Sequence, residues 1–100
     1  MPLTGKQRRH LRGLGHALKP VVSVGREGVS AEVARACEAA LAQHELIKVK
    51  IGPGASDDRY VMAAALGAAA RAEVAQVLGK TILLYRPRPP EDERARIELP

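Results

Sequence analysis

The chain has 100 residues, enough for one domain with a modest hydrophobic core and too few for two. It carries 16 lysines and arginines against 11 acidic residues, a net charge of +5, and contains neither Phe nor Trp. The single cysteine excludes an intramolecular disulfide bond, and the basic N-terminus lacks the apolar run of a signal peptide. The longest uncharged apolar run is about half a membrane span, so we expect a cytoplasmic protein that does not enter membranes.

The positive charge is concentrated in the first quarter of the chain. Residues 1–26 hold six basic residues and no acid, whereas the remainder holds ten basic and eleven acidic residues. This asymmetry favours a polyanionic partner, with nucleic acid ahead of an anionic membrane surface, although a solvated basic helix without a partner has the same pattern. The six basic residues are Lys6, Arg8, Arg9, Arg12, Lys19 and Arg26.

A first helix is predicted from the N-cap Thr4 to about His16, with Gly13 and Gly15 fraying its far end. After the helix, Pro20 forces the chain into an extended conformation. The 3.6-residue spacing places three leucines on one side of this segment, namely Leu11, Leu14 and Leu18.

A glycine loop follows the predicted strand Val21–Val24 and precedes Ser30, a predicted helix N-cap. The loop is Gly25-Arg26-Glu27-Gly28, and its glycines allow a sharp turn with close approach to the backbone. A helix N-terminus attracts anions, so a phosphate suits this position. An isolated G-x-x-G is more often a ligand-free turn, and the loop by itself is weak evidence.

The second helix is predicted from Ala31 to Gln43. Its lone cysteine lies on the apolar stripe, so we expect a buried structural thiol and not a nucleophile. The stripe consists of Val33, Ala36, Cys37, Ala40 and Leu41.

A half-buried strand is predicted at Ile47–Ile51, because apolar residues alternate there with Lys48 and Lys50. Its open face is therefore basic. A third helix, capped by Ser56 or Asp57, is predicted to run to about Arg71. The residues predicted to pack that helix against the sheet are Val61, Ala64, Ala65 and Ala68.

Two further strands, at about Val74–Leu78 and Thr81–Arg86, are joined by a Gly79-Lys80 hairpin turn. Residues 87–100 are proline-rich and charged, and we expect them to form a mobile tail. The predicted order α-β-α-β-α-β-β gives an α/β domain, a compact layered sandwich with a four-stranded mixed sheet.

Four blocks of the sequence resemble the CRM domain family, named for chloroplast RNA splicing and ribosome maturation, in its small stand-alone bacterial form. The resemblance runs from Leu3 to about Leu99. The blocks are L-T-G-K-Q-R-R-H-L-R at Leu3–Arg12, H-A-L-K-P-V-V-S-V-G-R-E-G-V at His16–Val29, H-E-L-I-K-V-K-I at His44–Ile51 and V-L-G-K-T-I-L-L-Y-R-P at Val77–Pro87.

The resemblance implies an RNA-binding domain with a fold similar to the C-terminal domain of bacterial translation initiation factor three and a KH-like G-x-x-G loop. It also implies binding to ribosomal RNA in precursors of the large ribosomal subunit. The RNA-binding residues that the resemblance implies are Gly25–Gly28, the basic first helix, Lys19, Lys48 and Lys50. Glu27 departs from the polar or basic residues usual in KH loops.

Other functions remain as alternatives. An enzyme using the loop for a nucleotide phosphate lacks both the G-K-[ST] of a Walker motif and the third Rossmann glycine. His10, His16 and His44 show no metal-ligand spacing with each other or with Cys37, so we expect no metal, cofactor, small-molecule substrate or catalysis. A module for DNA, for other structured RNAs or for a protein remains open, and we expect a monomer.

Overall fold

The computed structural model describes residues 2–55 and 57–100. Within them, helices and strands follow one another in the predicted order α-β-α-β-α-β-β. The elements are α1 (Gly5–Gly15), β1 (Pro20–Val24), α2 (Ala31–His44), β2 (Leu46–Ile51), α3 (Arg59–Ala70), β3 (Glu73–Leu78) and β4 (Thr81–Tyr85).

The strands form one four-stranded mixed sheet, as predicted, and their order in it is β1-β2-β4-β3. β1 pairs in parallel with β2, and the other two pairs are antiparallel. The β3–β4 hairpin turns at Gly79-Lys80, where Gly79 has φ +57°, a conformation that glycine adopts at little cost. Because β1 and β2 are parallel, the loops that follow them lie at the same end of the sheet.

Helices cover both faces of the sheet. α2 and α3 pack on one face around a core that includes Val24, Leu41, Val49 and Leu66, all fully buried. α1 packs on the other face, over a smaller cluster that is built around Leu11. This second face is only partly covered, and its exposed portion lies on the side of α1 where β1 runs.

The sheet-facing side of α3 differs from the prediction. Val61 is 62% exposed, and Ala64, Ala65 and Ala68 are exposed as well. In an alanine-rich helix two stripes satisfy the 3.6-residue spacing, and the one with larger side chains buries more apolar area. The residues of α3 that are buried are Met62, Ala63, Leu66, Gly67 and Ala70.

Side-chain caps begin all three helices. Thr4 and Gln7 form a reciprocal capping box on α1, and Ser30 accepts from the Val33 N–H on α2, as predicted. The cap of α3 is Asp58, whose carboxylate accepts from the N–H groups of residues 60 and 61, so the prediction of Asp57 is wrong. The alternative, Ser56, lies outside the described residues.

α1 ends close to the predicted His16 and is helical through both Gly13 and Gly15. The helix continues to Gly15, which is buried, and a Cβ there would lie 3.0 Å from the side chain of Leu83. The glycine therefore allows helix and sheet to approach closely. Of the predicted leucine stripe, Leu11 is fully buried, Leu14 is 41% exposed, and Leu18 is half-buried beyond the helix end. On α2, Ala36 was also predicted to lie in the core, and it is exposed.

Residues 87–100 lie against the domain in the structure. The buried carboxylate of Glu45 accepts from the N–H groups of Arg88 and Ile97, at 2.6 Å each. The side chains of Ile97 and Leu99 pack against the α1-side cluster. That this segment is mobile in solution stays a prediction.

Candidate nucleic-acid interface

The loop Gly25–Gly28 forms a tight turn between β1 and α2. The Gly28 N–H donates to the Gly25 carbonyl at 3.0 Å, and Gly28 has φ +69°. Arg26 and Glu27 are exposed at the tip of the turn. Gly28 is buried, and its left-handed conformation favours glycine.

A second glycine loop, at residues 52–55, supports the first. The Gly52 N–H donates to the Val24 carbonyl at 2.8 Å, and a Cβ on Gly54 would lie 3.3 Å from the Cβ of Arg26. Its residues are not among the predicted RNA-binding residues. The available signal was its G-P-G sequence after a strand that pairs in parallel with β1, which brings both loops to one end of the sheet.

Acidic side chains surround the loop end. Besides Glu27, the carboxylate of Asp57 lies close to Gly28, since a Cβ built there would be 3.3 Å from Oδ2. Asp58 caps α3 at the same end, and Arg59 donates to the carbonyl of Gly79 at 3.1 Å. The loop end therefore carries charges of both signs, and Arg26 alone does not make it strongly positive.

The outer surface of α1 is more uniformly basic. Lys6, Arg9 and Arg12 are exposed on it, whereas Arg8 is half-buried. The Arg8 guanidinium donates to the carbonyls of Val74 and Leu3, each at 3.4 Å. Arg8 thus ties α1 to β3, which is a structural role that charge counting does not distinguish from RNA binding.

The exposed part of the sheet continues this basic surface. Lys48 and Lys50 of β2 face the α1 side, opposite to the core residues Ile47, Val49 and Ile51. Lys50 is exposed beside Ser23 of β1, whereas Lys48 is half-buried and donates to the Leu18 carbonyl at 3.1 Å. Lys19 is exposed next to Leu18 in the connection to β1.

The predicted site residues therefore fall into two neighbouring groups. One is the basic surface, which we define as α1 with Lys19, Lys48 and Lys50. The other is the loop Gly25–Gly28, which directly follows the strand paired with Lys50. The end of β1 connects the two groups, because Ser23 lies beside Lys50 and the loop begins two residues later.

Burial changes the pKa of two titratable side chains, Cys37 and Tyr85. Burial raises the pKa of the Cys37 thiol, which disfavours the nucleophilic thiolate form. Burial also raises the pKa of Tyr85, the charge of Glu45 adds to this effect, and Arg96 opposes it.

In the described ranges 2–55 and 57–100, no three His, Cys, Asp or Glu side chains are grouped to hold a metal ion. Nor does any helix among these residues have the length and apolar character to span a membrane.

Together the fold and the surface define a small α/β domain with one basic, incompletely covered sheet face. The chain belongs to the CRS1 / YhbY (CRM) domain family, whose model matches residues 3–86. It is 39% identical to the Probable RNA-binding protein YqeI of Bacillus subtilis over 98% of this chain and 99% of that protein. It is 40% identical to the Probable RNA-binding protein PA4753 of Pseudomonas aeruginosa over 89% of this chain and 86% of that protein.

A solved structure supports the fold. The solution structure of the hypothetical protein SAV1595 from Staphylococcus aureus has a TM-score of 0.80 and 37% sequence identity to this chain. The match covers 98% of this chain and 99% of that one. It confirms the predicted fold class, a compact α/β domain with a four-stranded mixed sheet.

Proposed function

We propose that this protein binds RNA without catalysing a reaction, and that its target is ribosomal RNA in precursors of the large ribosomal subunit. The observation that carries the proposal is the exposed basic surface of α1, Lys19 and Lys50, in a chain whose relatives are named RNA-binding proteins. The ribosomal target is supported by the family resemblance, and we further propose a cytoplasmic monomer.

Contacts to phosphate and sugar dominate the proposed mode of binding. With no Phe or Trp and only two tyrosines, the chain lacks the aromatic platform on which RRM and OB-fold proteins stack bases. Exposed arginines and lysines instead neutralise the RNA backbone, which makes the affinity strongly dependent on salt. The loop Gly25–Gly28 contributes close backbone approach at one end of this surface.

Sedimentation of a native cell extract through a sucrose gradient tests the ribosomal target. We expect the protein to migrate with immature large-subunit particles at low salt and to leave them at high salt. Protein that remains with the free proteins at the top of a low-salt gradient would contradict a role in ribosome assembly. Mapping of RNA contacts in the particle fractions would then identify the bound segment.

The alternative is a general module for other structured RNAs or for DNA, because every nucleic acid offers the same phosphate charge. Competition between a structured RNA and duplex DNA at equal phosphate concentration shows whether the protein prefers RNA to DNA. We expect RNA to compete better, and equal competition would favour the general module.

A further inference from the structure

A mostly apolar cavity lies at the edge of the basic surface, between the end of α1, β1 and the C-terminal segment. Its volume is about 500 Å³. The apolar lining includes Leu14, Leu18, Val21, Leu46 and Ile97. Leu14 and Val21 are 41% and 55% exposed, and both line this cavity.

Cationic and polar side chains stand at the same cavity. Lys19, Lys48 and His44 are among its lining residues. The hydrogen bond from Lys48 Nζ to the Leu18 carbonyl fixes that ammonium group beside the apolar wall. A ligand that complements this arrangement joins an apolar group to an anion.

The negative end of the α2 dipole does not oppose an anion here, because arginines of the tail satisfy its last carbonyls. Arg88 donates to the carbonyl of Gln43, and Arg94 donates to that of Ala42 at 2.8 Å. The nearby carboxylate of Glu45 is directed to the tail, where two backbone N–H groups donate to it. The positive charge of Lys19 and Lys48 therefore dominates the cavity's rim.

We propose that this cavity binds one unstacked nucleobase of a single-stranded RNA segment, with the adjoining phosphate held by Lys19 and Lys48. This inference rests on the proposed RNA-binding function and adds a base contact to it. Leu14, Val21 and Ile97 supply the apolar contact that aromatic side chains supply in other RNA-binding folds. The cavity is large enough for a nucleotide, and it opens onto the same surface that carries the phosphate-binding side chains.

Methyl and amide NMR spectra of the full chain test the proposal with defined probes: a uridine- or adenosine-only decaribonucleotide, adenosine monophosphate and ribose 5-phosphate. We expect the oligonucleotide and the monophosphate to shift the methyl signals of Leu14, Val21 and Ile97. Ribose 5-phosphate should shift signals of Lys19 and Lys48 only. Replacing all bases of the oligonucleotide by abasic sites should weaken binding about tenfold or more, given the usual contribution of a bound base.

A matched pair of variants separates the cavity from the rest of the surface. Val21→Ala should reduce the affinity for the decaribonucleotide about three- to tenfold, leaving the affinity for its abasic counterpart unchanged. Val61→Ala is the control, because Val61 is exposed to a similar extent, 62%, and lies on α3, on the other side of the sheet. Equal effects of the two variants would overturn the proposal.

The remaining outcomes are also decisive. Shifts at Gly25–Gly28 and α1 without methyl shifts in the cavity would refute the base site and leave the proposed function standing. No binding of any RNA would refute the proposed function itself. Larger methyl shifts with a short acidic, leucine-containing peptide than with the oligonucleotide would assign the cavity to a protein partner and overturn the proposal.

Discussion

Neutralising α1 tests whether this helix, and not the glycine loop, supplies most of the electrostatic attraction. Arg9 and Arg12 are exposed on the helix, so Arg9→Gln with Arg12→Gln removes two charges without disturbing a buried contact. Each phosphate contact to a double-helical polyanion contributes about 0.9 to the slope of log affinity against log salt. The double variant should therefore lower the magnitude of the slope by about 1.8, which corresponds to a loss of about 30-fold in affinity at 0.15 M salt.

The assay is fluorescence anisotropy with a labelled structured RNA at several salt concentrations. A control of equal charge is Arg35→Gln with Arg71→Gln. Arg35 is exposed on α2, and Arg71 follows α3, both on the opposite side of the sheet. Arg71 is highly exposed, and its ion pair with Glu38, at 3.6 Å, contributes little to stability.

The reasoning would be refuted if both double variants changed the slope equally, because the effect would then reflect net charge and not a site. An unchanged slope in the α1 variant would show that phosphate binding takes place elsewhere. Circular dichroism melting curves should coincide for all variants, which excludes unfolding as the cause of a change.

Three further predictions concern the loop, a helix cap and acid stability. Gly28→Ala should lower the free energy of unfolding by about 1–2 kcal/mol in urea titrations, because φ is +69° there; Gly25→Ala, with open space around it, should not. Asp58→Ala should cost about 1 kcal/mol by the same measurement, whereas Asp57→Ala, which removes no cap, should cost less. Hydrogen bonds from a neighbouring arginine lower the pKa of Asp92 from 3.8 to about 2, so its contribution to stability is present above pH 3.8 and is lost as the pH falls towards 2. The variant Asp92→Asn should accordingly show a shallower loss of thermal stability between these pH values, and an unchanged pH profile would contradict this assignment.

The sequence was sufficient to predict the elements and their order because local signals agreed with the tertiary structure. Thr4 and Ser30 cap helices as predicted, and the alternation at Ile47–Ile51 identifies the faces of β2. The family match also confirms the resemblance that the four sequence blocks indicated. These features depend on near neighbours in the chain, so they can be read without knowing what packs against them.

Properties that depend on distant segments were not predictable in the same way. The prediction of which side of α3 is buried was wrong. Val61 and Met62 each belong to a stripe with helical spacing, and only contact with the sheet decides which stripe is buried. Arg8 looks like any other exposed arginine in the sequence, although its guanidinium bonds to β3 across the domain. The second glycine loop became relevant only when the parallel pairing of β1 and β2 placed it against Arg26.

The attachment of the C-terminal segment has a consequence for the boundaries of the folding unit. The family match ends at residue 86, yet the carboxylate of Glu45 obtains its hydrogen bonds from Arg88 and Ile97, beyond that boundary. Cutting the chain at residue 86 would expose this carboxylate to water. It would also remove Ile97 and Leu99, which pack against the cluster that contains Leu46 and Tyr85. In this structure the last fourteen residues therefore complete the cover of the α1-side cluster, although the family model matches only residues 3–86.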